Sequence, residues 1–212
     1  MRELACPLCG GMSARYADDW RRAYFQCSEC GLTFAEPASQ LGPAEEKAVY
    51  DQHENNPSDA RYRRFLSRLA GPLIVRLSPG MQGLDYGCGP GPTLSVMLAE
   101  AGMEVALYDP YFAPATGVLD ASYDFVTCSE VAEHFYRPAR DWARMAELLR
   151  PAGWLGVMTR RVQFGALFNT WYYKNDPTHV SFYSDQTFAW LAARHGLRID
   201  YQNQDTIIFR KR

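Results

Sequence analysis

The sequence has no apolar run long enough to cross a bilayer, and it has almost no net charge. No stretch approaches the roughly 18–20 apolar residues that a spanning helix requires, and no opening apolar run resembles a signal peptide. The formal net charge of −2 gives no general attraction to nucleic acid or to an anionic membrane. We therefore expect a cytoplasmic protein with no membrane partner.

Cysteine is also scarce, with six residues in 212, but four of the six form two matched pairs. Cys6-Pro-Leu-Cys9-Gly10 and Cys27-Ser-Glu-Cys30-Gly31 are C-x-x-C-G knuckles separated by seventeen residues. Each knuckle can bring two thiolates to one tetrahedral Zn²⁺, and this separation is typical of a four-cysteine zinc site. A redox dithiol pair and disulfides are the alternatives. We expect the zinc ligands to be Cys6, Cys9, Cys27 and Cys30.

The segment 1–37 around these knuckles resembles a zinc ribbon. Four sulfur ligands leave no position for a substrate water, and so small a segment cannot bury enough apolar surface to fold alone, so we expect a structural zinc. Residues 1–36 contain four arginines against five acidic residues, and a zinc ion with four thiolates adds about two negative charges. A phosphate-binding surface needs the opposite sign, so we do not expect this ribbon to bind nucleic acid.

Three glycines at alternate positions, Gly87, Gly89 and Gly91, connect a predicted buried strand to a predicted helix over 93–101. Glycine permits positive φ and close approach of a ligand to the backbone, so this turn suits a binding site, although a purely structural turn is the alternative. Asp85 precedes the glycines, where it could accept the ammonium of an amino-acid-like ligand. Asp109 ends the next predicted strand, where an acidic side chain meets ribose hydroxyls in parallel sheets.

The glycine turn resembles the LDxGCGxG motif of class I S-adenosylmethionine-dependent methyltransferases, and its sequence here is Leu84-Asp85-Tyr86-Gly87-Cys88-Gly89-Pro90-Gly91. Asp109 corresponds to the acidic residue that ends the second strand in that family. The turn lacks the G-x-G-x-x-G spacing of dinucleotide-binding folds. The Glu130-Val-Ala-Glu-His134 run resembles the xEVLEH motif of the same family, and its Glu130 and His134 would share a helix face toward the cofactor. A structural role for His134 is the alternative. The resemblance implies S-adenosylmethionine as cofactor, bound by Asp85, Gly87, Cys88, Gly89, Gly91, Asp109, Glu130 and His134.

The resemblance, to a Methyltransferase-23-like domain, covers residues 60–212 and implies an α/β fold. This fold is a doubly wound, Rossmann-like sheet of seven strands, parallel except for an antiparallel strand in the carboxyl-terminal hairpin. The hairpin is expected at 197–202 and 206–210. Helix breakers in 110–117 shorten the crossover after Asp109, and Val118-Leu119-Asp120 is the candidate remnant of the third strand.

The segment 38–59 is polar and acidic and contains Pro43, Pro57 and Asn55-Asn56, so it is expected to be a linker with one short helix. Tyr50, His53 and Asn55 are compatible with solvated polar residues. The alternative is a lid that closes over the ligand, as the segment before the first strand does in many class I methyltransferases.

An aromatic-rich insertion over 160–184 follows the predicted fifth strand and is expected to wall the substrate pocket. His179 is the candidate general base, oriented by Asp176, and Tyr173 is a candidate for positioning the substrate. The alternative is that His179 only fastens the insertion to the sheet. We expect methyl transfer to a small molecule such as a sugar or another metabolite. The alternatives are a ribosomal or transfer RNA methyltransferase with a zinc module, and a non-catalytic protein that senses S-adenosylmethionine.

Overall fold

The computed structural model describes residues 3–52 and 55–212, which form two β-sheets. The larger sheet has the order β10-β11-β8-β7-β5-β6. Strands β5, β6, β7 and β8 are parallel, and β11 runs antiparallel between β8 and β10. Its strands are β5 (Gln82–Tyr86), β6 (Glu104–Tyr108), β7 (Tyr123–Ser129), β8 (Leu149–Met158), β10 (Leu197–Gln202) and β11 (Thr206–Lys211). The carboxyl-terminal hairpin is thus present as predicted.

The larger sheet has six strands among the described residues, whereas the sequence predicted seven. The candidate third strand, 118–120, lies in a 3₁₀-helix, Thr116–Asp120. The reason is local, because Pro110 and Pro114 interrupt the preceding segment and leave no room for a crossover helix, which a further parallel strand requires. The sheet therefore ends at β6, next to the turn that contains Asp109.

Helices cover both faces of this sheet, as its apolar strands require. On one face, α2 (Ala60–Ile74) and α3 (Thr93–Glu100) bury leucines against Phe125, Met158 and Ile208. On the other, α4 (Pro138–Leu148) and α6 (Asp185–Arg194) pack Trp142 and Phe188 against β11. Ser184 caps α6 by accepting a hydrogen bond from the Thr187 backbone N–H. Among the described residues, no helix combines the length and the apolar composition that a bilayer-spanning helix needs.

The smaller sheet is antiparallel and has the order β1-β2-β3-β4-β9. Four of its strands belong to the cysteine-containing segment: β1 (Glu3–Ala5), β2 (Met12–Asp18), β3 (Ala23–Cys27) and β4 (Thr33–Ala35). The fifth, β9 (Ser181–Phe182), comes from the insertion after β8 and pairs with β4. The division of the chain into the domains 1–37, 38–59 and 60–212 stays a prediction. Residues from the first and the last of these segments belong to one apolar core, which the two sheets share.

The segment between the two sheets contains the predicted short helix, α1 (Pro43–Tyr50), preceded by a 3₁₀ turn at Pro37–Ser39. Pro43 is the first residue of α1, where its missing N–H would have no helical partner in any case. Tyr50 and Asn55 are described by the structure, and His53 lies outside the described residues. A short helix, α5 (Ala166–Thr170), and a 3₁₀ turn at Tyr172–Asn175 lie within the insertion.

Candidate functional site

A cavity of about 570 Å³ lies at the carboxyl ends of β5, β6 and β7. Parallel α/β sheets bind their ligands at this edge, because the loops that leave the strands converge there. This cavity is lined by all eight residues that the sequence predicted to bind the cofactor: Asp85, Gly87, Cys88, Gly89, Gly91, Asp109, Glu130 and His134. The structure therefore brings together residues that are up to 49 positions apart in the chain.

The glycine turn needs its glycines for two different reasons. Gly87 and Gly89 have φ of 84° and 65°, in the region that other residues rarely adopt. At Gly91 the limit is space, because a Cβ there would lie 1.8 Å from the backbone oxygen of Asn55. The turn is thus pressed against the segment before α2, and a side chain at position 91 would displace that segment.

Asp109 braces the glycine turn from the end of β6. Its Oδ2 accepts a hydrogen bond from the Gly89 N–H at 3.0 Å. Its Oδ1 accepts from the N–H groups of Tyr111 and Phe112 at 2.8 and 3.0 Å. A carboxylate oxygen can accept more than one hydrogen bond, so Oδ2 keeps a site for a ligand hydroxyl while it orders the turn.

Asp85 is buried at the end of β5, and two hydroxyls fix its orientation. Ser95 Oγ donates to Oδ2 and Thr127 Oγ1 donates to Oδ1, each at 2.7 Å. Burial raises the pKa of Asp85, and the two hydroxyls oppose this rise only in part. A cationic ligand group beside the carboxylate would stabilise its charged form, so this site favours an ammonium or another cation.

Three described residues of the 38–59 segment, Glu46, Tyr50 and Asn55, line the cavity together with Asp109. Glu46 of α1 lines the cavity and accepts hydrogen bonds from the hydroxyls of Tyr50 and Tyr111, at 2.8 and 2.7 Å. The Tyr50 ring packs edge-on against His134, with 5.3 Å between ring centroids. Glu46 and Tyr111 were not predicted from the sequence. Neither residue belongs to the family motifs quoted above. The position of Tyr111, two residues after Asp109, was the one feature of the sequence that could have indicated its proximity to the site.

Glu130 and His134 both reach the cavity, but not from one helix face as predicted. Glu130 has φ of 53°, and only a single 3₁₀ turn, Ala132–His134, follows it. Positive φ at a non-glycine residue is strained backbone of the kind that accumulates at functional sites. Burial and the neighbouring Glu133 raise the pKa of Glu130 well above its usual value. The bent backbone thus brings the Glu130 and Glu133 carboxyl groups into one cavity, close enough to interact.

His179 and Asp176 line the cavity as well, and so both belong to the same enclosure as the glycine turn. The Tyr173 backbone carbonyl accepts a hydrogen bond from His179 Nδ1 at 2.7 Å, so Nδ1 carries the proton and neutral His179 has its lone pair on Nε2. Asp176 Oδ2 is 3.8 Å from Nε2, too far for a hydrogen bond. Asp176 instead accepts from the N–H and hydroxyl of Thr178. The orienting group of His179 is therefore the Tyr173 carbonyl.

His134 has a matching arrangement. Its Nδ1 lies 3.2 Å from the Thr178 carbonyl, and its ring meets the His179 ring edge-on at 4.7 Å between centroids. Burial lowers the pKa of His134 to about 4, an effect that Glu133 opposes and His179 adds to. His134 is therefore neutral at neutral pH and faces the His179 ring, and the Nδ1 of each ring lies against a backbone carbonyl of residues 173–178.

Glu133 also belongs to this cavity, and it was not predicted from the sequence. It is fully buried, lines the cavity, and accepts a hydrogen bond from the Tyr173 hydroxyl through Oε1. Its Oε2 has no hydrogen-bond partner among the described residues. Tyr173 itself is buried behind Glu133, where it also lies 3.4 Å from Thr159 Oγ1. The available signal was the position of Glu133 between the two motif residues already chosen.

Among the residues that the structure describes, two groups of side chains could hold a metal ion. The Sγ atoms of the four knuckle cysteines lie within 4.8 Å of one another, with Cys6–Cys30 at 3.5 Å and Cys9–Cys27 at 3.4 Å. Tetrahedral Zn–S bonds of about 2.3 Å require sulfur atoms about 3.8 Å apart, so this group fits zinc. Ligand atoms of Glu133, His134 and His179 also lie within 4.8 Å of one another, a mixed oxygen and nitrogen set.

The aromatic residues of the 160–184 insertion do not wall the cavity, contrary to the sequence-based expectation. Phe168, Trp171 and Phe182 pack with Tyr24 of β3 in a separate cluster, and the Tyr24 and Phe168 rings are 4.9 Å apart. Tyr183 stacks on Phe188 of α6. From this insertion the cavity receives Asp176 and His179, and its aromatic lining comes from Tyr50, Tyr62, Phe65, Tyr86, Tyr108, Tyr111, Phe112 and Phe135.

Comparison with curated proteins gives partial matches to one enzyme. Ubiquinone biosynthesis O-methyltransferase of Burkholderia thailandensis is 34% identical over 38% of this chain and 45% of its own length. The enzyme of that name from Nitrosospira multiformis is 31% identical over 50% of this chain and 51% of its own length. The chain therefore spans about half the length of the curated relatives it matches.

Solved structures share the fold at low sequence identity. Burkholderia thailandensis 1,6-didemethyltoxoflavin-N1-methyltransferase has a TM-score of 0.54 and 17% identity, over 93% of this chain and 98% of its own. Magnesium protoporphyrin IX methyltransferase from Synechocystis PCC 6803 has a TM-score of 0.54 and 15% identity, over 80% and 94%. A family model described as a methyltransferase domain matches residues 53–202, well over half of the chain. The protein therefore belongs to this methyltransferase-domain family, as its glycine turn and Glu130–His134 segment predicted.

Proposed function

We propose that this protein transfers the methyl group of S-adenosylmethionine to a small-molecule acceptor. The observation that carries the proposal is the shared cavity, which is lined both by the glycine turn with Asp85 and Asp109 and by Glu133, His134 and His179. Its volume of about 570 Å³ falls in the range of small-molecule pockets. Solved structures with the same fold are described with bound S-adenosylhomocysteine, which supports the choice of cofactor.

The cofactor side of the cavity has groups for each polar part of this ligand. We assign the ammonium to Asp85, whose buried carboxylate favours a cation. We assign the ribose hydroxyls to Asp109, whose Oδ2 is already aligned by Gly89. We assign the role of a lid to Glu46, Tyr50 and Asn55, which line the cavity and would shield it from water. Excluding water matters because the protein's main task in methyl transfer is to align the acceptor with the methyl carbon.

The reaction needs one proton acceptor on the substrate side. When bound, S-adenosylmethionine supplies an activated methyl carbon, which takes up the acceptor's lone pair as the carbon–sulfur bond breaks. His179 Nε2 receives the proton that the acceptor loses, because Nδ1 is held protonated by the Tyr173 carbonyl. Tyr173 acts on the site through Glu133 rather than on the substrate directly. An oxygen acceptor is favoured by the curated relatives, which are named as O-methyltransferases.

A second use of the same side chains is supported by one observation. Glu133, His134 and His179 can offer three ligand atoms within 4.8 Å, and Glu133 Oε2 has no partner among the described residues. A divalent cation held there would bind the acceptor oxygen directly and lower its pKa. Loss of turnover in a chelator, restored by Mg²⁺ or Mn²⁺ in protein that keeps its zinc, would select this mechanism over a free His179 base.

We also propose that the four knuckle cysteines hold one structural zinc ion and that the segment they close is a zinc ribbon. The sulfur spacing and the complete four-ligand set support this. The excess of acidic residues in 1–36 argues against an RNA substrate. A non-catalytic sensor of S-adenosylmethionine would bind cofactor with no acceptor, and the experiment below separates it from an enzyme.

The first test is calorimetric binding of S-adenosylmethionine and S-adenosylhomocysteine. Wild-type protein should bind both, and Gly89→Val should abolish binding because valine is strained at φ of 65° and enters the ligand's path. Protein that ignores both compounds would refute the proposal. A screen of cell metabolites and RNA for label from methyl-labelled cofactor then identifies the acceptor, and no label in either pool would favour the sensor.

His179 is tested once an acceptor is known. His179→Ala should lower turnover by a factor of about 10²–10⁴ and leave the Kd for S-adenosylhomocysteine nearly unchanged. His195→Ala is the matched control, because His195 lies at the end of α6, away from the cavity lining. Normal turnover in His179→Ala would remove His179 from the mechanism. A joint loss of affinity, melting temperature and turnover would show that His179 fastens the insertion.

A further inference from the structure

Residues 173–180, called here the His179 loop, contact both the catalytic cavity and the cysteine-containing ribbon. Arg22 lies at the turn between β2 and β3 and is 6% exposed. Its guanidinium donates hydrogen bonds to three backbone carbonyls of this loop, those of Lys174, Asp176 and Pro177. A planar fork with five donors suits several fixed acceptors at once. One ribbon side chain thus holds the stretch of backbone directly before His179.

A second ribbon contact reaches the same loop through an ion pair. Lys174 is 3% exposed, and its Nζ lies 2.8 Å from Asp19 Oδ2. Arg21 donates to the Asn175 carbonyl at 2.6 Å. Burial acts to raise the pKa of Asp19, but Lys174 and the N–H groups of Arg21 and Arg22 outweigh it and hold this pKa well below its usual range. Asp19 is therefore ionised at neutral pH.

The end of the loop is held from both sides. The Val180 carbonyl accepts a hydrogen bond from the Ala35 N–H of β4 at 2.9 Å, and the Val180 N–H donates to the Glu133 carbonyl at 2.8 Å. The next two residues form β9, which pairs with β4 of the ribbon. A single residue after His179 thus connects the last ribbon strand to the Glu133 and His134 segment.

The second pair of cysteines lies close in the chain to these ribbon atoms. Cys27 ends β3, the strand that Arg22 precedes, and Cys30 comes shortly before β4. The second knuckle also contacts the start of α6, where Ser184 Oγ donates to the Gly31 carbonyl at 3.3 Å. A ribbon of this size depends on its metal to fold, so loss of zinc would release Arg22, Asp19 and β4 together.

We propose that the zinc ribbon is the scaffold that aims the His179 loop into the cavity, with Arg22 as its positioning residue. This inference rests on the proposed function. Arg22 is not a catalytic residue, because among the described residues the cavity lining begins at Glu46. Removal of Arg22 should therefore change the geometry of His179 and leave the cofactor side of the cavity as it is.

The test compares Arg22→Ala with Arg15→Ala. Arg15 is a ribbon arginine whose half-exposed side chain pairs with Asp18, so it is a matched control for charge and location. Amide hydrogen exchange is measured by mass spectrometry with S-adenosylhomocysteine bound. In Arg22→Ala, exchange over 173–180 should rise at least about tenfold, since local opening governs exchange, and exchange over 82–109 should not change. Arg15→Ala should match wild type in both segments.

Zinc content and cofactor affinity show whether the effect is local. Arg22→Ala should keep one zinc per chain and bind S-adenosylhomocysteine within about twofold of wild type, while kcat falls by about 10- to 100-fold through misplacement of the base. Arg22→Lys keeps the positive charge but loses the planar guanidinium with its several donors, so its kcat should lie between those of Arg22→Ala and the wild type. Zinc-stripped wild type should show the same rise over 173–180 with the cofactor still bound.

Two results would overturn the inference. One is equal exchange over 173–180 in Arg22→Ala and Arg15→Ala. The other is an equal rise over 82–109 with a parallel loss of cofactor affinity, which would make Arg22 a general stabilising residue. If Arg22→Ala does not fold, Asp19→Asn provides the same comparison, decided by the same two results. The exchange readout needs no turnover, so absence of methyl transfer would refute the proposed function without deciding this inference.

Discussion

Tyr173→Phe is the substitution whose effect the structure defines most sharply. The Tyr173 hydroxyl donates to Glu133 Oε1, and Glu133 is fully buried with no partner for Oε2 among the described residues. Removing the hydroxyl leaves the whole carboxyl group unpaired in the interior. A buried acceptor left without its hydrogen-bond partner costs about 1–3 kcal/mol. We therefore expect the free energy of unfolding to fall by about 1–3 kcal/mol, and the melting temperature by about 2–12 °C for a chain of this size.

The measurement is urea unfolding followed by circular dichroism at pH 7, with Tyr172→Phe as the matched control. Tyr172 is the preceding residue and 59% exposed, so loss of its hydroxyl should change the free energy of unfolding by less than about 0.5 kcal/mol. The Kd for S-adenosylhomocysteine should be similar in both variants, because Asp85 and Asp109 are untouched. A Tyr173→Phe variant as stable as Tyr172→Phe would refute the assigned Glu133 contact.

Three further outcomes are expected. Gly91→Ala should weaken S-adenosylhomocysteine binding at least about tenfold by calorimetry, because its Cβ would lie 1.8 Å from the Asn55 oxygen, while Gly71→Ala, with open space, should not. Because the pKa of His134 is lowered to about 4 in the folded protein, the unfolded chain binds more protons than the folded protein between pH 4 and 6.5. The free energy of unfolding, measured in urea, should therefore rise with pH across this window by up to about 1.4 kcal/mol per pH unit. His134→Gln should flatten that rise. Elemental analysis should find one zinc per chain, lost in Cys27→Ser; protein without metal, or with disulfides in these pairs, would contradict the zinc site.

The position of Asp85, the glycine turn and Asp109 in one cavity was predictable from the sequence because its determinants are local. Positive φ at Gly87 and Gly89 follows from a tight turn between a strand and a helix, and such a turn has a recognisable spacing. Asp109 was predictable for a related reason, since the ends of neighbouring parallel strands meet at one sheet edge. Neither inference required knowledge of which distant segment covers the site. The role of Asn55 over Gly91, which depends on such a segment, was expected only as one of two alternatives.

The surroundings of His179 were less predictable because distant segments of the chain decide them. Asp176 and His179 are three residues apart, a spacing that suggests an acid–histidine pair. In the structure the Asp176 carboxylate instead accepts hydrogen bonds from Thr178. The backbone carbonyl of Tyr173 orients the His179 imidazole. Backbone acceptors have no sequence signature. Glu133 was overlooked for a comparable reason, since a buried carboxyl and an exposed one look alike until the fold places Tyr173 beside one of them.

The aromatic insertion was assigned to the wrong surface, and β4 held the signal that would have corrected this. Thr33-Phe34-Ala35 is buried throughout, although a ribbon that ended at this strand would expose its edge to solvent. An apolar last strand therefore implies a further strand from elsewhere in the chain. The insertion supplies it as β9, and its aromatic residues pack around Tyr24 because that is where the pairing brings them. Once β9 is paired, His179 lies two residues before a strand anchored to the ribbon, so the proposed zinc site would act on the proposed base through β4 and β9.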